Sequence, residues 1–176
     1  MAIARLTRRF NPTIGTRLPE RQRRIYDFLK AHPVGVLSTT DPNGDPHGVV
    51  VYFMLEADFT LHILTKTGTR KYDNLKHNPH TMLTVFSAAP QITVQVTGVA
   101  TEMPGSDVIN MVAGAIFGVN AQMSDAGLPP LVKLDAGDYT TFTIQPLQMR
   151  MAVYADKEAG GYEDVFESIE SFATPD

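Results

Sequence analysis

The chain has 176 residues, 43% of them hydrophobic and 19% charged, which are the proportions of a globular protein able to bury a substantial core. It contains no cysteine, which excludes disulfides, thiolate metal centres, iron–sulfur clusters and a cysteine nucleophile, so any redox chemistry must be carried by a bound cofactor. The net charge of −4 conceals an asymmetry: Met1 to Arg24 holds seven Arg and one Glu, a balance of +6, which leaves −10 for the remainder.

Residues 1–18 are expected to form an extended basic arm, because Asn11-Pro12, Gly15 and Pro19 interrupt any helix there. The body behind the arm is acidic and lacks the basic face of nucleic-acid binders, so the arm is read as folding over an acidic neighbour, not over a nucleic acid. No stretch reaches the roughly 18 apolar residues of a membrane span, and no secretion signal is apparent, so a cytoplasmic location is expected.

Pro19 fits the first position of a helix in which Ile25, Phe28 and Leu29 share a face, and Pro33 forbids its continuation past Ala31. Val34 to Thr40 and Pro46 to Leu55 read as strands joined by the turn Asp41-Pro42-Asn43-Gly44. The second of these strands is apolar on both parities, with Val49, Val51 and Phe53 on one side and Val50, Tyr52 and Met54 on the other. Such a strand is covered on two faces, by a barrel interior on one and by a partner subunit, a ligand or the chain's own helices on the other.

A third strand, Phe59 to Leu64, leads into Thr65-Lys66-Thr67-Gly68-Thr69-Arg70-Lys71, a polar turn followed by a helix that opens on two cations. A helix N-terminus carries roughly +0.5 of a charge, so Arg70 and Lys71 stand at its unfavourable end. Either they are ordinary solvated cations or, with the Thr hydroxyls and free backbone N–H groups, they form a socket for a phosphate. The helix ends at Asn78-Pro79. Thr81 to Phe86 and Ile92 to Glu102 continue the β pattern. Ser106 is a plausible N-cap for a helix through Ile109, Val112, Ile116 and Phe117, apolar nearly all round and placed at a subunit contact or over a cofactor. Val119 to Gly137 reads as a long loop. A last β-region runs from Tyr139 to Ile144 and from Leu147 to Tyr154, broken by Pro146, and residues 156–176 are expected to form an acidic helical tail with Val165, Phe166, Ile169 and Phe172 on one face. The expected architecture is a single domain over residues 1–176, mainly β (α+β): a six- to seven-stranded antiparallel β-barrel with a few peripheral helices.

The order of these elements resembles the pyridoxamine 5′-phosphate oxidase-like family of flavin-binding split barrels. The matching pieces are Phe28-Leu29, Gly35-Val36-Leu37-Ser38-Thr39, Asn43-Gly44-Asp45-Pro46-His47, Leu64-Thr65 with Thr69-Arg70-Lys71, Asn74-Leu75 with Asn78-Pro79, and Gly98-Val99-Ala100. The resemblance implies a homodimer with flavin mononucleotide (FMN) at the interface. Arg70, Lys71, Thr69 and Thr65 would meet its phosphate; Val50, Val51, Tyr52 and Leu64 would border the ring, and Thr93 would offer it a polar contact. Where the authentic vitamin oxidase carries Arg and Lys on the second strand, this chain has Val49 and Met54, and it has no Trp at all. The function implied is therefore an FMN-dependent oxidoreductase acting on a small molecule other than pyridoxamine phosphate. The alternatives are a non-catalytic flavin- or haem-binding protein and a deazaflavin-dependent reductase. No metal site and no catalytic side chain is assigned. His47, His62, His77 and His80 lack metal-ligand spacing, and His62 is expected in the core or at an interface.

Overall fold

The structure, a computed structural model, describes residues 18–89, 91–123, 138–154 and 166–169. The expected basic arm, apart from Leu18, lies outside the described residues. Helix α1 spans Glu20–Ala31, with Pro19 at its N-cap instead of inside its first turn. Its buried Ile25, Phe28 and Leu29 plug one end of a barrel. Strands β1 (Val34–Thr40) and β2 (Pro46–Leu55) form the expected hairpin, followed by β3 (Leu61–Lys66), helix α2 (Arg70–His77), β4 (His80–Ala88) and β5 (Gln91–Met103). Helix α3 (Ser106–Met123), β6 (Tyr139–Val153) and β7 (Phe166–Ile169) complete the order.

All strand pairs are antiparallel, in the order β3-β2-β1-β4-β5-β6-β7, and a further β3–β6 pairing closes six strands into a barrel. Strand β6 makes the split. Its first half, Tyr139 to Ile144, pairs with β3, and its second half, Met149 to Ala152, pairs with β7. The expected interruption at Pro146 is a bulge within one strand: Thr97 faces Gln148 while Gly98 faces Pro146, so Leu147 is the extra residue. A Cβ on Gly98 would stand 2.5 Å from the Gln145 carbonyl oxygen, so the bulge requires glycine opposite it.

Four expectations are corrected. The third strand begins at Leu61 because buried Phe59 occupies a left-handed turn at φ 68°, donating its N–H to the Glu56 carbonyl. Ser106 is the first residue of α3 and not its cap, the Gly105 carbonyl accepting the Ile109 N–H. The same helix runs on to Met123, into the segment expected as a loop; residues 124–137 lie outside the described part. Within the tail expected to be helical, Phe166–Ile169 is strand, because the free edge of β6 supplies backbone partners that an isolated short helix lacks. The rest of that tail lies outside the described residues.

Alternation along β2 explains its two apolar parities. Val51 and Phe53 point into the main core with Leu37, Ile63, Leu83, Val94, Val96 and Phe142. Met54 points outward into a second cluster with Leu64 of β3 and Val108, Val112 and Ile116 of α3. The nearly all-apolar helix thus covers part of the barrel's outer surface. Away from that helix, Val50 is 63% exposed, and its partner Val36 on β1 is 42% exposed.

Candidate functional site

The far end of the barrel from α1 carries the site. Strand β3 hands the chain to a turn in which Gly68 takes φ 71°, a conformation costly for a residue with a Cβ. The Thr67 N–H and hydroxyl both donate to the Asp138 carbonyl, at 2.9 and 3.2 Å, fixing the turn to the start of β6. Thr69 caps α2, its Oγ1 accepting the Tyr72 N–H at 3.4 Å and donating to the Lys66 carbonyl at 2.9 Å. The N–H groups of Arg70 and Lys71 precede the first helical carbonyls and have no intrahelical acceptor.

The two cations differ. Arg70 is exposed, and its Nη2 reaches Asp41 Oδ2 of the β1–β2 turn at 3.5 Å. Asp41 is held below the usual carboxylate range, first by the N–H of Asp45, then by that of Asn43, with Arg70 adding to it. Lys71 is half-buried and forms no ion pair among the described residues; burial alone pushes its ammonium below the ordinary lysine value. A lysine desolvated without a carboxylate is costly in isolation and suited to receiving an anion.

Thr65 is 1% exposed, and its hydroxyl is already engaged by Thr69 and the Lys66 carbonyl, at 3.3 and 3.4 Å. Tyr52 packs against the outer cluster containing Leu64, and Val50 continues the same outward face toward the turn. Val51 turns its side chain into the core, so its backbone alone is presented outward. The structure therefore gathers Val50, Val51, Tyr52, Leu64, Thr65, Thr69, Arg70 and Lys71 along β2, β3 and the start of α2. Thr93 is set apart. It lies on β5 opposite Phe86 of β4, with β1 and β4 between it and β2, about 14 Å away at the usual strand spacing.

Sequence reasoning missed the side chains that dock α2. Asn74 Nδ2 donates to Thr39 Oγ1 at 3.0 Å and Asn78 Nδ2 to Thr40 Oγ1 at 2.9 Å, tying the helix to β1. On its other flank Lys76 Nζ donates to Glu102 Oε2 at 2.8 Å, while Thr140 Oγ1 donates to Glu102 Oε1 at 2.9 Å. Asn74 and Asn78 stand in quoted motifs, but their partners are 35 and 38 residues away and carry no local signal. His62 is buried as expected. Its Nε2 is 2.6 Å from Glu56 Oε1 and its Nδ1 is 3.0 Å from Thr143 Oγ1. No group of three or more His, Asp or Glu suited to a metal occurs among the described residues.

The sequence profile of the family described as pyridoxamine 5′-phosphate oxidase matches residues 22–151, which span every element from α1 to β6. The chain belongs to this family. Comparison with curated proteins returns no match. Among solved structures, a pyridoxamine 5′-phosphate oxidase-related, FMN binding protein from Nostoc punctiforme is similar over 89% of this chain and 99% of its own, with 16% identity and a TM-score of 0.56. A heme binding protein from Mycobacterium smegmatis is similar over 91% of this chain and 59% of its own, at 20% identity and a TM-score of 0.59. The heme storage protein HutZ from Vibrio cholerae is similar over 72% of this chain and 90% of its own, at 19% identity and a TM-score of 0.54. At these identities the likeness is one of fold, a split barrel that serves more than one cofactor.

Proposed function

We propose that this family member binds FMN at the β3–α2 turn and uses it to oxidise or reduce a small molecule other than pyridoxamine phosphate. The observation that carries the reading is Lys71, a half-buried ammonium without a carboxylate partner among the described residues, at a helix start that also offers free N–H groups. A phosphate dianion supplies what this corner lacks. Lys71 would hold it by charge, Arg70 would leave or share Asp41 to assist, and the first-turn N–H groups of α2 would point at its oxygens. The backbone of Val50 to Tyr52 and the side chains of Tyr52 and Leu64 would border a flat ring. Bound FMN supplies hydride and electron transfer; the chain's own residues orient it and neutralise its phosphate.

The same reading includes a homodimer. Val36, Val50 and Phe86, 42%, 63% and 60% exposed, form an apolar stretch across β2, β1 and β4 that a second copy would cover. Thr93, too distant from β2 within one chain, would then reach the ring from the partner copy.

The test is a pair of titrations of the purified protein. FMN should bind at least tenfold more tightly than riboflavin, which has the ring without the phosphate, and give a yellow complex with flavin absorbance. Equal affinity for the two, or a Soret band from co-purified haem in place of flavin absorbance, would overturn the proposal. Tighter binding of a deazaflavin than of FMN would move the chain to the deazaflavin-dependent branch.

A further inference from the structure

Glu102 collects donors from two separate elements. It stands near the C-terminal end of β5, opposite Phe142 of β6, at the end of the barrel that α2 covers. Lys76 on the last turn of α2 donates to one of its oxygens at 2.8 Å and Thr140 of β6 to the other at 2.9 Å, and the Tyr72 hydroxyl on the first turn of α2 makes the smallest contribution to keeping the carboxyl ionised. Tyr72 follows Lys71 directly. Its ring packs edge-on against Phe142, with centroids 5.9 Å apart. One carboxylate therefore fastens the last turn of the eight-residue helix to β6 through a threonine, while the Tyr72 ring packs its first turn against the same strand.

The helix is too short to be stable without such contacts. Its apolar contribution is small: of its residues only Asn74 and Leu75 are buried, with Tyr72 partly so. Its position is fixed largely by polar anchors, Asn74 and Asn78 to β1 on one flank and Glu102 on the other. A rotation of α2 about its axis would carry Lys71 and Arg70 with it; Asn74 and Asn78, three and seven residues on, share Lys71's side of the helix, and Glu102 resists the same rotation from the flank of Lys76.

We infer that Glu102 is a positioning residue for the anion site, holding α2 at the angle that presents Lys71 and its first-turn N–H groups to a phosphate. This rests on the proposed FMN site for its ligand, but not for its structural half. Glu102 acts through Tyr72 and Lys76 and touches no ligand itself.

The experiment compares wild-type protein with Glu102→Gln and Lys76→Met, the latter at a half-exposed position where folding is not at risk. In the protein without added flavin, Glu102→Gln should speed amide hydrogen exchange across residues 70–77 while exchange in β1 and β4 stays as in wild type. In titrations it should raise the FMN dissociation constant about tenfold, the scale of losing well-placed charge-assisted hydrogen bonds, and leave the riboflavin constant unchanged. Lys76→Met should do the same to a smaller degree. Unchanged exchange in α2 would overturn the inference, as would an equal weakening of FMN and riboflavin. Failure of the FMN reading has a different signature: wild-type protein that does not prefer FMN to riboflavin, whatever the exchange data show.

Discussion

The two ends of the barrel each hold a carboxylate paired with a base, and the pairs are built for different purposes. At the α1 end, Glu56 and His62 are buried together with side-chain exposures of 5% and 3%, 2.6 Å apart, and one Glu56 oxygen has no hydrogen-bond partner among the described residues. At the α2 end, Glu102 and Lys76 are 20% and 51% exposed, with both carboxylate oxygens engaged. The buried pair joins the β2–β3 turn to β3 and, through Thr143, to β6, at the place where Phe59 adopts its left-handed conformation. His62 lies in the β3–β6 pairing, so this pair serves the closure of the barrel. The open pair sits beneath the helix whose first turn carries Lys71. Burial makes the first pair costly to break, and exposure makes the second cheap to perturb without losing the fold.

The largest effect is expected at the closed end. Glu56→Ala leaves His62 buried without its partner and should cost about 3–5 kcal/mol of stability, read by denaturant unfolding, whereas an apolar replacement of both residues together should recover most of it. If Glu56→Ala unfolds like wild type, the two ends are not energetically distinct. Next comes Lys71→Met, which should weaken FMN by about 2 kcal/mol and leave riboflavin and thermal stability nearly unchanged, since it removes a desolvated, unpaired charge. Arg70→Met should shift FMN affinity less than Lys71→Met, because Arg70 is exposed and already shares Asp41. On the outer face, Val50→Asp should convert the proposed dimer into monomers in sedimentation experiments, with the fold retained.

The smallest effect is in pH, and its sign follows from the carboxylate at the open end. The Lys76 hydrogen bond, with the Thr140 and Tyr72 hydroxyls helping, holds the Glu102 carboxyl below the usual range. Its folded-state value is depressed, so its contribution is fully present above the ordinary glutamate value. That contribution disappears as pH falls through the depressed value. Protection of α2 amides should therefore decline in wild type as pH falls below the ordinary glutamate value, and decline less in Glu102→Gln. Lys71 works in the opposite direction. Its lowered value means that FMN affinity should begin to fall with rising pH before an ordinary lysine would titrate.

Much of the architecture was legible in the sequence because its signals are local. Proline at 33 and 79, the Asp41 to Gly44 turn and the β-rich run of β2, apolar on both parities, each act within a few residues. The unusual cations at the start of α2 were legible for the same reason, as a departure from helix electrostatics. The tail shows where locality fails. Val165, Phe166, Ile169 and Phe172 have helical spacing, yet Phe166–Ile169 is strand, because the edge of β6 left open by the split lies elsewhere in the chain. Pro146 misled in a milder way, since a bulge opposite Gly98 absorbs it without ending the strand.

By itself, the sequence determined most of the helices and strands from 19 to 118, the two apolar faces of β2, and that two cations stand at a helix start where either solvation or an anion must answer them. Those properties depend on backbone chemistry and periodicity over a few residues. The tertiary structure alone decided that Lys71 is desolvated while Arg70 pairs with Asp41, that His62 is locked to Glu56, and that Glu102, 26 residues beyond Lys76, anchors the helix. Each of these is a meeting of side chains brought together by barrel closure, and the free energy of such contacts depends on burial and distance, which appear only when the strands are paired.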